Sequence, residues 1–249
     1  MDQESKNETN PNPVDSVELS GEEAYVPSPE DFLPTPRPQL TAFERMPRQG
    51  SVFPGAVFVA LMTVFSIVRW QFPDRFEDLD ITRQSILVSH QYWRMLTAIF
   101  VHGDLGHLLH NVPVYLFFAW ILQGYFGLLA SVVLPLIIGI LSNGMTVYFY
   151  DDHVHLLGAS GMIYGMVALW LMLYIHFDRK SWWVKRVGRA VGFSLLVMFP
   201  QTYEPKVSYL AHFTGFSCGL LLGWAFIPVI RRWAPVDFYE FARVKEDEQ

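Results

Sequence analysis

The chain has 249 residues, of which 51% are hydrophobic, 16% are aromatic and only 17% are charged. This balance is far from that of a soluble globular domain, and it also excludes a wholly disordered chain, a collagen-like repeat and a coiled coil. The net charge is -6, and residues 1–33 carry nine acidic side chains against Lys6 alone. No basic stripe accompanies the aromatic residues, so we expect no nucleic-acid partner.

The two ends of the chain differ in composition from its middle. Residues 1–50 are rich in Asn, Pro, Glu, Ser and Asp and contain no long apolar run, which predicts a flexible, disordered acidic tail. Residues 51–232 form the predicted membrane domain, and residues 233–249 form a short charged tail. The single cysteine, Cys218, excludes an internal disulfide and a cysteine-based zinc cluster.

The membrane domain contains six apolar runs, each close to the length that an α-helix needs to cross a bilayer core about 30 Å thick. We therefore expect an all-α membrane protein with six spanning helices. The fifth run contains Arg189, Pro200 and Gln201, so a five-span arrangement is the alternative. The runs lie at residues 54–70, 107–126, 128–149, 160–176, 187–203 and 207–230.

Basic residues predict the orientation of the spans, because they concentrate on the cytoplasmic side of a membrane protein. If the N-terminus is cytoplasmic, the basic residues before span one, between spans four and five, and after span six all lie on the cytoplasmic side. An even number of spans then also places the C-terminus in the cytoplasm. The long first loop, residues 71–106, carries many apolar side chains, so we expect it to pack on the outer membrane interface.

Three groups of polar residues lie in or beside the spans, where an unpaired polar group costs several kcal/mol. With the orientation above, all three groups lie toward the non-cytoplasmic side. They are the group of His102, His107, His110 and Asn111 at the start of span two, Ser160 at the outer end of span four, and His212 near the outer end of span six.

Each group also has a simpler interpretation. A serine between small residues often caps a helix or allows close packing, and a lone histidine often packs in a protein interior. Three histidines within nine residues can hold a metal ion, but they lack carboxylates at a matched depth and the HExxH spacing. We therefore expect neither a metal site nor a cofactor.

Small residues on span six indicate which helix it packs against. Because a helix turns by about 100° per residue, residues three, seven and eleven positions after His212 fall on the same side as its imidazole. Glycines occupy all three positions, namely Gly215, Gly219 and Gly223. A stripe of this kind allows another helix to approach closely.

Span four offers a matching small surface. Gly161 and Gly165 lie beside Ser160 on this span. Packing of the two surfaces against each other brings His212 to Ser160. Tyr164, one turn beyond Ser160, is then expected to pack near the imidazole and to restrict its orientation.

This arrangement predicts nucleophilic catalysis. A serine hydroxyl becomes an effective nucleophile when an adjacent base accepts its proton, and histidine suits that role near neutral pH. His107 and Asn111 share one face of span two, and with the backbone N–H of Ser160 they are candidate donors to an oxyanion. Spans four and six contain no acidic residue, so we predict a dyad of Ser160 and His212.

Over roughly residues 54–230 the sequence resembles the rhomboid family of intramembrane serine proteases. The resemblance implies a six-helix core, a serine–histidine dyad at Ser160 and His212, and an oxyanion site with His107, Asn111 and backbone amides. His110 departs from the family pattern, which has an apolar or aromatic residue there. The matching residues are Trp93 and Arg94; His102, His107 and Asn111; Gly158, Ala159, Ser160 and Gly161 with Tyr164; and Ala211, His212, Gly215 and Gly219.

The resemblance implies a serine endopeptidase that cleaves single-span membrane proteins whose helix can unwind near the active site, with membrane lipid as the other partner. An inactive relative that binds membrane clients is the alternative, but such proteins usually lack the serine or the histidine, and both are present here. A transporter predicts inverted repeats, which this sequence lacks. The six-span form favours a bacterial inner membrane over a eukaryotic secretory membrane.

Overall fold

The structure is a computed structural model that describes residues 50–178, 182–198 and 208–234, together with residues 43, 46 and 47. The predicted tails at residues 1–50 and 233–249 lie almost wholly outside these residues. Within the described residues the chain is helical and forms no strand, apart from one isolated antiparallel bridge between Ile81 and Leu156. The all-α prediction is therefore confirmed for this part of the chain.

Ten α-helices follow one another in the described residues. Four are short, and three of these lie in the first loop. The helices are α1 (Phe53–Gln71), α2 (Pro73–Phe76), α3 (Arg83–Leu87), α4 (Arg94–Thr97), α5 (Leu105–Phe126), α6 (Leu134–Val147), α7 (Ser160–Phe177), α8 (Trp183–Met198), α9 (Tyr209–Ala225) and α10 (Ile227–Trp233). A π-helical stretch, Leu129–Val133, leads directly into α6.

Several of these helices are long and apolar enough to cross a bilayer. Among the described residues they are α1, α5, the π-helical stretch joined to α6, and α7, with α9 and α10 as a fifth span if the pair crosses as one. The fifth predicted run corresponds to α8, which has 16 residues, while residues 199–203 of that run lie outside the described part. The protein is thus a multi-pass integral membrane protein.

The last predicted span is broken, because α9 and α10 meet at an angle of 63° around Phe226. Pro228 lies in the first turn of α10, where it cannot donate a backbone N–H to the preceding turn. The single run predicted at residues 207–230 is therefore two helices, and the proline accounts for the position of the break.

Helix α7 occupies the centre of the bundle. Residues 161–169 of this helix are all buried, and α5, α6 and α9 pack around it. By contrast, α1 buries only Gly55, Phe58, Met62 and Ser66 and presents its other side outward. The central position places Ser160, the first residue of α7, at the end of the most enclosed helix.

The first loop has one side in the protein and one side outside it. Ile81, Ile86 and Ala98 are almost fully buried, and they pack with Leu156 and Ala211. Other apolar side chains of the same loop, including those of Phe72, Val88, Tyr92 and Trp93, are exposed. The loop therefore packs against the helix ends, in addition to carrying the apolar surface that the sequence predicts for the membrane interface.

Candidate active site

The segment that leads into α7 has an unusual backbone conformation. Gly158 has a φ of 108°, a value that residues with a side chain rarely adopt, and its N–H donates to the carbonyl of Ala98 at 2.8 Å. Ala159 is fully buried, and Ser160 follows as the half-buried first residue of α7. The turn thus delivers the Ser160 hydroxyl to a helix N-terminus, where backbone N–H groups lack intrahelical partners.

Helices α7 and α9 contact each other through the glycines that the sequence singled out. A methyl group added at Gly215 would lie 2.7 Å from the carbonyl carbon of Gly161, and one added at Gly219 would lie 2.8 Å from that of Gly165. Neither position has room for a side chain. The two backbones are in direct contact, as small-residue interfaces in membranes permit.

This contact extends to the N-terminal ends of both helices. A methyl group added at Gly161, the residue after Ser160, would lie 3.2 Å from the carbonyl oxygen of Ala211, the residue before His212. The hydroxyl of Ser142 on α6 donates to the same Ala211 carbonyl at 2.8 Å. Gly161 and Ala211 are therefore in contact. Ser160 and His212 are their immediate neighbours in the chain, so the two helices bring these residues close together.

His212 is buried and held by an aromatic ring. Its imidazole stacks on Tyr164 with a centroid separation of 3.8 Å and an interplanar angle of 14°. Its Nε2 atom is buried and has no hydrogen-bond partner within the described residues, so the bond to Ser160 is not formed here. Catalytic hydrogen bonds are often long in structures without substrate and tighten when substrate binds.

The ring of His107 lies over the turn that precedes Ser160. A methyl group added at Gly158 would lie 2.6 Å from His107 Cε1. Asp104 caps α5 by accepting the backbone N–H of His107 at 2.8 Å, which fixes this residue in the first helical turn. The histidine of span two and the turn before Ser160 are thus brought together.

Asn111 lies one helical turn beyond His107 and is buried. Its side-chain amide donates to the His107 carbonyl at 2.8 Å, so one of its two N–H bonds is used within its own helix. His110 is exposed, and its Nδ1 lies 2.8 Å from the carbonyl oxygen of Gly106. The residue that departs from the family pattern therefore bonds within its own helix.

His102 has a role that the sequence did not assign. It is fully buried, and its Nε2 accepts the backbone N–H of Ala159 at 3.4 Å. Because Nε2 accepts, Nδ1 carries the proton and donates to Ser66 at 3.3 Å. Trp70 donates to the His102 carbonyl at 2.7 Å. The imidazole thus connects α1 to the turn before Ser160.

Burial determines the protonation state of His102. The pKa of this histidine is lowered to about 3, mainly by removal from water and also by the nearby His107, while the Phe100 carbonyl and Asp104 act in the opposite direction. His102 is therefore neutral at physiological pH, which is the form that can accept the Ala159 N–H. The sequence carried one signal for this role, because His102 lies only five residues before His107 and belongs to the same polar group.

Comparison with known proteins gives the family of this chain. The family model described as Rhomboid domain matches residues 89–229, which is more than half of the chain. Among curated proteins, RHOMBOID-like protein 2 of Arabidopsis thaliana is 25% identical over 148 residues, covering 58% of this chain and 45% of the relative. Rhomboid-related protein 3 of Homo sapiens is 27% identical over 146 residues, covering 53% of this chain and 36% of the relative.

A bacterial relative covers more of its own length. The putative rhomboid protease YdcA of Bacillus subtilis (strain 168) is 28% identical over 141 residues, covering 55% of this chain and 69% of the relative. The chain spans less than half of the length of the Arabidopsis and human relatives. The match of the family model to residues 89–229 includes every residue of the candidate site, and the chain belongs to the rhomboid family.

Proposed function

We propose that this protein is an intramembrane serine endopeptidase that cleaves single-span membrane proteins. Ser160 is the nucleophile and His212 is the general base. The observation that carries the proposal is the position of His212. Its buried imidazole stacks on Tyr164, and its Nε2 has no hydrogen-bond partner among the described residues. The residue before it, Ala211, contacts Gly161, the residue after Ser160. A free acceptor nitrogen in a fixed orientation is what a base for the serine proton requires.

The reaction proceeds in two halves. The Ser160 Oγ attacks the scissile carbonyl carbon while His212 Nε2 accepts the hydroxyl proton. The protonated imidazole then gives that proton to the leaving amine, and an acyl ester on Ser160 remains. Water hydrolyses the ester in the second half, with His212 again acting as base, so the enzyme is regenerated.

Other residues of the site orient the base and stabilise the oxyanion. The stacked Tyr164 ring fixes the plane of the imidazole, as a carboxylate partner does in a triad. The side chains of His107 and Asn111 and the backbone N–H of Ser160 stabilise the oxyanion of the tetrahedral intermediate. The contact of His107 with Gly158 supports this assignment for the histidine.

The membrane arrangement follows from the same proposal. We infer six spans, with α8 and the residues that follow it forming the fifth and the bent pair α9 and α10 forming the sixth. Both termini are cytoplasmic, the active site faces the non-cytoplasmic side, and a bacterial inner membrane is the favoured location. The substrate helix reaches Ser160 from lipid and unwinds there, because a peptide bond within a helix is not accessible to a nucleophile.

The experiment that tests the function uses the purified full chain in liposomes with a panel of tagged single-span substrates. Ser160→Ala and His212→Ala are each expected to abolish cleavage, and the double variant is expected to be no worse than either one, because the two residues act as a unit. Ser89→Ala and His153→Ala are matched controls at exposed positions outside the site. Near-wild-type cleavage by Ser160→Ala or His212→Ala contradicts the proposal.

A further inference from the structure

The first loop contains a buried carboxylate that is not part of the proposed catalytic group. The side chain of Asp80 is only 2% exposed. Its Oδ1 accepts from Nε of Arg69 at 3.2 Å, and its Oδ2 accepts from Nη2 of the same guanidinium at 3.2 Å. Oδ2 also lies 3.3 Å from Nδ1 of His155. One carboxylate therefore joins the end of α1 to the loop between α6 and α7.

The residues that follow His155 are held by the first loop as well. Leu156 and Ile81 exchange two backbone hydrogen bonds, of 3.0 and 2.8 Å. Gly158 donates to the carbonyl of Ala98 at 2.8 Å. The segment of residues 155–158 is thus fixed at three points immediately before Ser160, and the contact with Asp80 is the only one of the three made by side chains.

We propose that Asp80 and His155 are positioning residues for the nucleophile. Their contact fixes the start of the segment that ends at Ser160, and so sets the distance from the serine hydroxyl to His212. The inference rests on the proposed function in one respect, namely that Ser160 is the nucleophile. Neither residue touches the reacting atoms in this role.

Two arginines lie beside Asp80 in addition to His155. Arg69 comes from α1, and Arg94 of α4 donates to the backbone carbonyl of Asp80 and pairs with the exposed Asp78. Arg69 thus gives Asp80 a second partner besides His155. His155 is 45% exposed, and a histidine can donate from Nδ1 both as the neutral Nδ1–H tautomer and as the cation.

Two variants test the proposal. Asp80→Asn removes the charge with almost no change in shape, and His155→Ala removes the donor to Asp80 at a half-exposed position where little packing is lost. Because a misplacement of about 1 Å can lower a rate by ~10²-fold, we expect a loss of about 10-fold for Asp80→Asn and of several-fold for His155→Ala. His155→Lys, which supplies a different donor to Asp80, is expected to keep more of the rate than His155→Ala. His153→Ala, at an exposed histidine in the same loop, is the matched control.

The readout is the rate at which a fluorophosphonate labels Ser160, measured well below the melting temperature, alongside kcat and KM for cleavage. The proposal expects slower labelling and lower kcat with KM unchanged, and no change for His153→Ala. If His155→Ala melts lower but labels at the wild-type rate, the residue is merely structural and the proposal is overturned. His155→Ala decides the question if Asp80→Asn fails to fold. Absence of labelling at Ser160 in the wild-type chain instead overturns the proposed function.

Discussion

Substitution of Gly219 by alanine is the smallest change that tests the contact between α7 and α9. The added methyl group would lie 2.8 Å from both the Cα and the carbonyl carbon of Gly165, and closer still to its oxygen. Carbon atoms in contact are separated by about 3.5–4.0 Å, so α9 must move away from α7 by about 1 Å. Backbone atoms cannot rotate away as a side chain can, which leaves helix displacement as the means of relief.

The displacement acts on the catalytic group through His212, two turns before Gly219 on the same helix. Its ring is stacked on Tyr164 of α7, so a shift of α9 changes both the stack and the approach to Ser160. A misplacement of about 1 Å can cost ~10²-fold in rate, and we expect a loss of that order. The variant should also be less stable. Overpacking lowers the free energy of unfolding by about 1–3 kcal/mol, and the higher helix propensity of alanine restores up to ~1 kcal/mol of it.

The assay compares initial cleavage rates and melting temperatures in detergent across three glycine-to-alanine variants. Gly192→Ala on α8 is the matched control, because a methyl group there has nothing within 4 Å. Gly223→Ala places its methyl 3.1 Å from Met172 Cβ, a less severe approach than the 2.8 Å at Gly219, so its effect should be intermediate. If Gly219→Ala is as active and as stable as Gly192→Ala, α9 does not present this face to α7, and our argument that His212 reaches Ser160 fails.

Two further predictions concern the oxyanion donors and the topology. His107→Ala and Asn111→Ala should lower kcat more than they change KM, by about 10²–10³-fold for a strong single donor, and full activity of both variants and of their combination contradicts the role. For topology, Cys218→Ser should be tolerated and provides a background without cysteine. In that background, His153→Cys should react with an impermeant thiol reagent from outside and Lys185→Cys only after permeabilisation, and the reverse pattern inverts the orientation.

The features that the sequence predicted well are those with a helical period. The spacing of Gly215 and Gly219 after His212 depends only on the turn of an α-helix, and the two helices do pack through these glycines. The face shared by His107 and Asn111 follows from the same period, and the structure places them one turn apart in α5. Local periodicity therefore indicated which surfaces meet.

The features that the sequence did not predict depend on contacts between distant segments. Asp80 and His155 are 75 positions apart, and no local pattern connects a carboxylate in one loop with a histidine in another. The break between α9 and α10 is different, since Pro228 marks it in the sequence and the apolar run through residues 207–230 concealed it. Hydrophobicity alone measures the length of a span and not its straightness.

A final prediction concerns the pH dependence of stability through His102. The pKa of this histidine is lowered to about 3 in the folded protein, mainly by burial, whereas an unfolded histidine has a pKa of about 6.5. Between these values the unfolded chain binds the proton and the folded chain does not, so stability increases with pH across that range. The contribution is complete above pH ~6.5 and is lost as the pH falls toward ~3.

The expected size follows from the same difference in pKa. From pH 7 to pH 5 the wild type should lose about 2 kcal/mol through this group alone, since each unit of pH is worth about 1.4 kcal/mol in that range. His102→Gln keeps an acceptor for the Ala159 N–H without a titrating group, so its stability should change less over the same interval. The measurement is the melting temperature of both proteins at several pH values. Identical pH dependence in the two proteins means that His102 is not held neutral by the fold, and that the connection from α1 to the turn before Ser160 does not require the neutral imidazole.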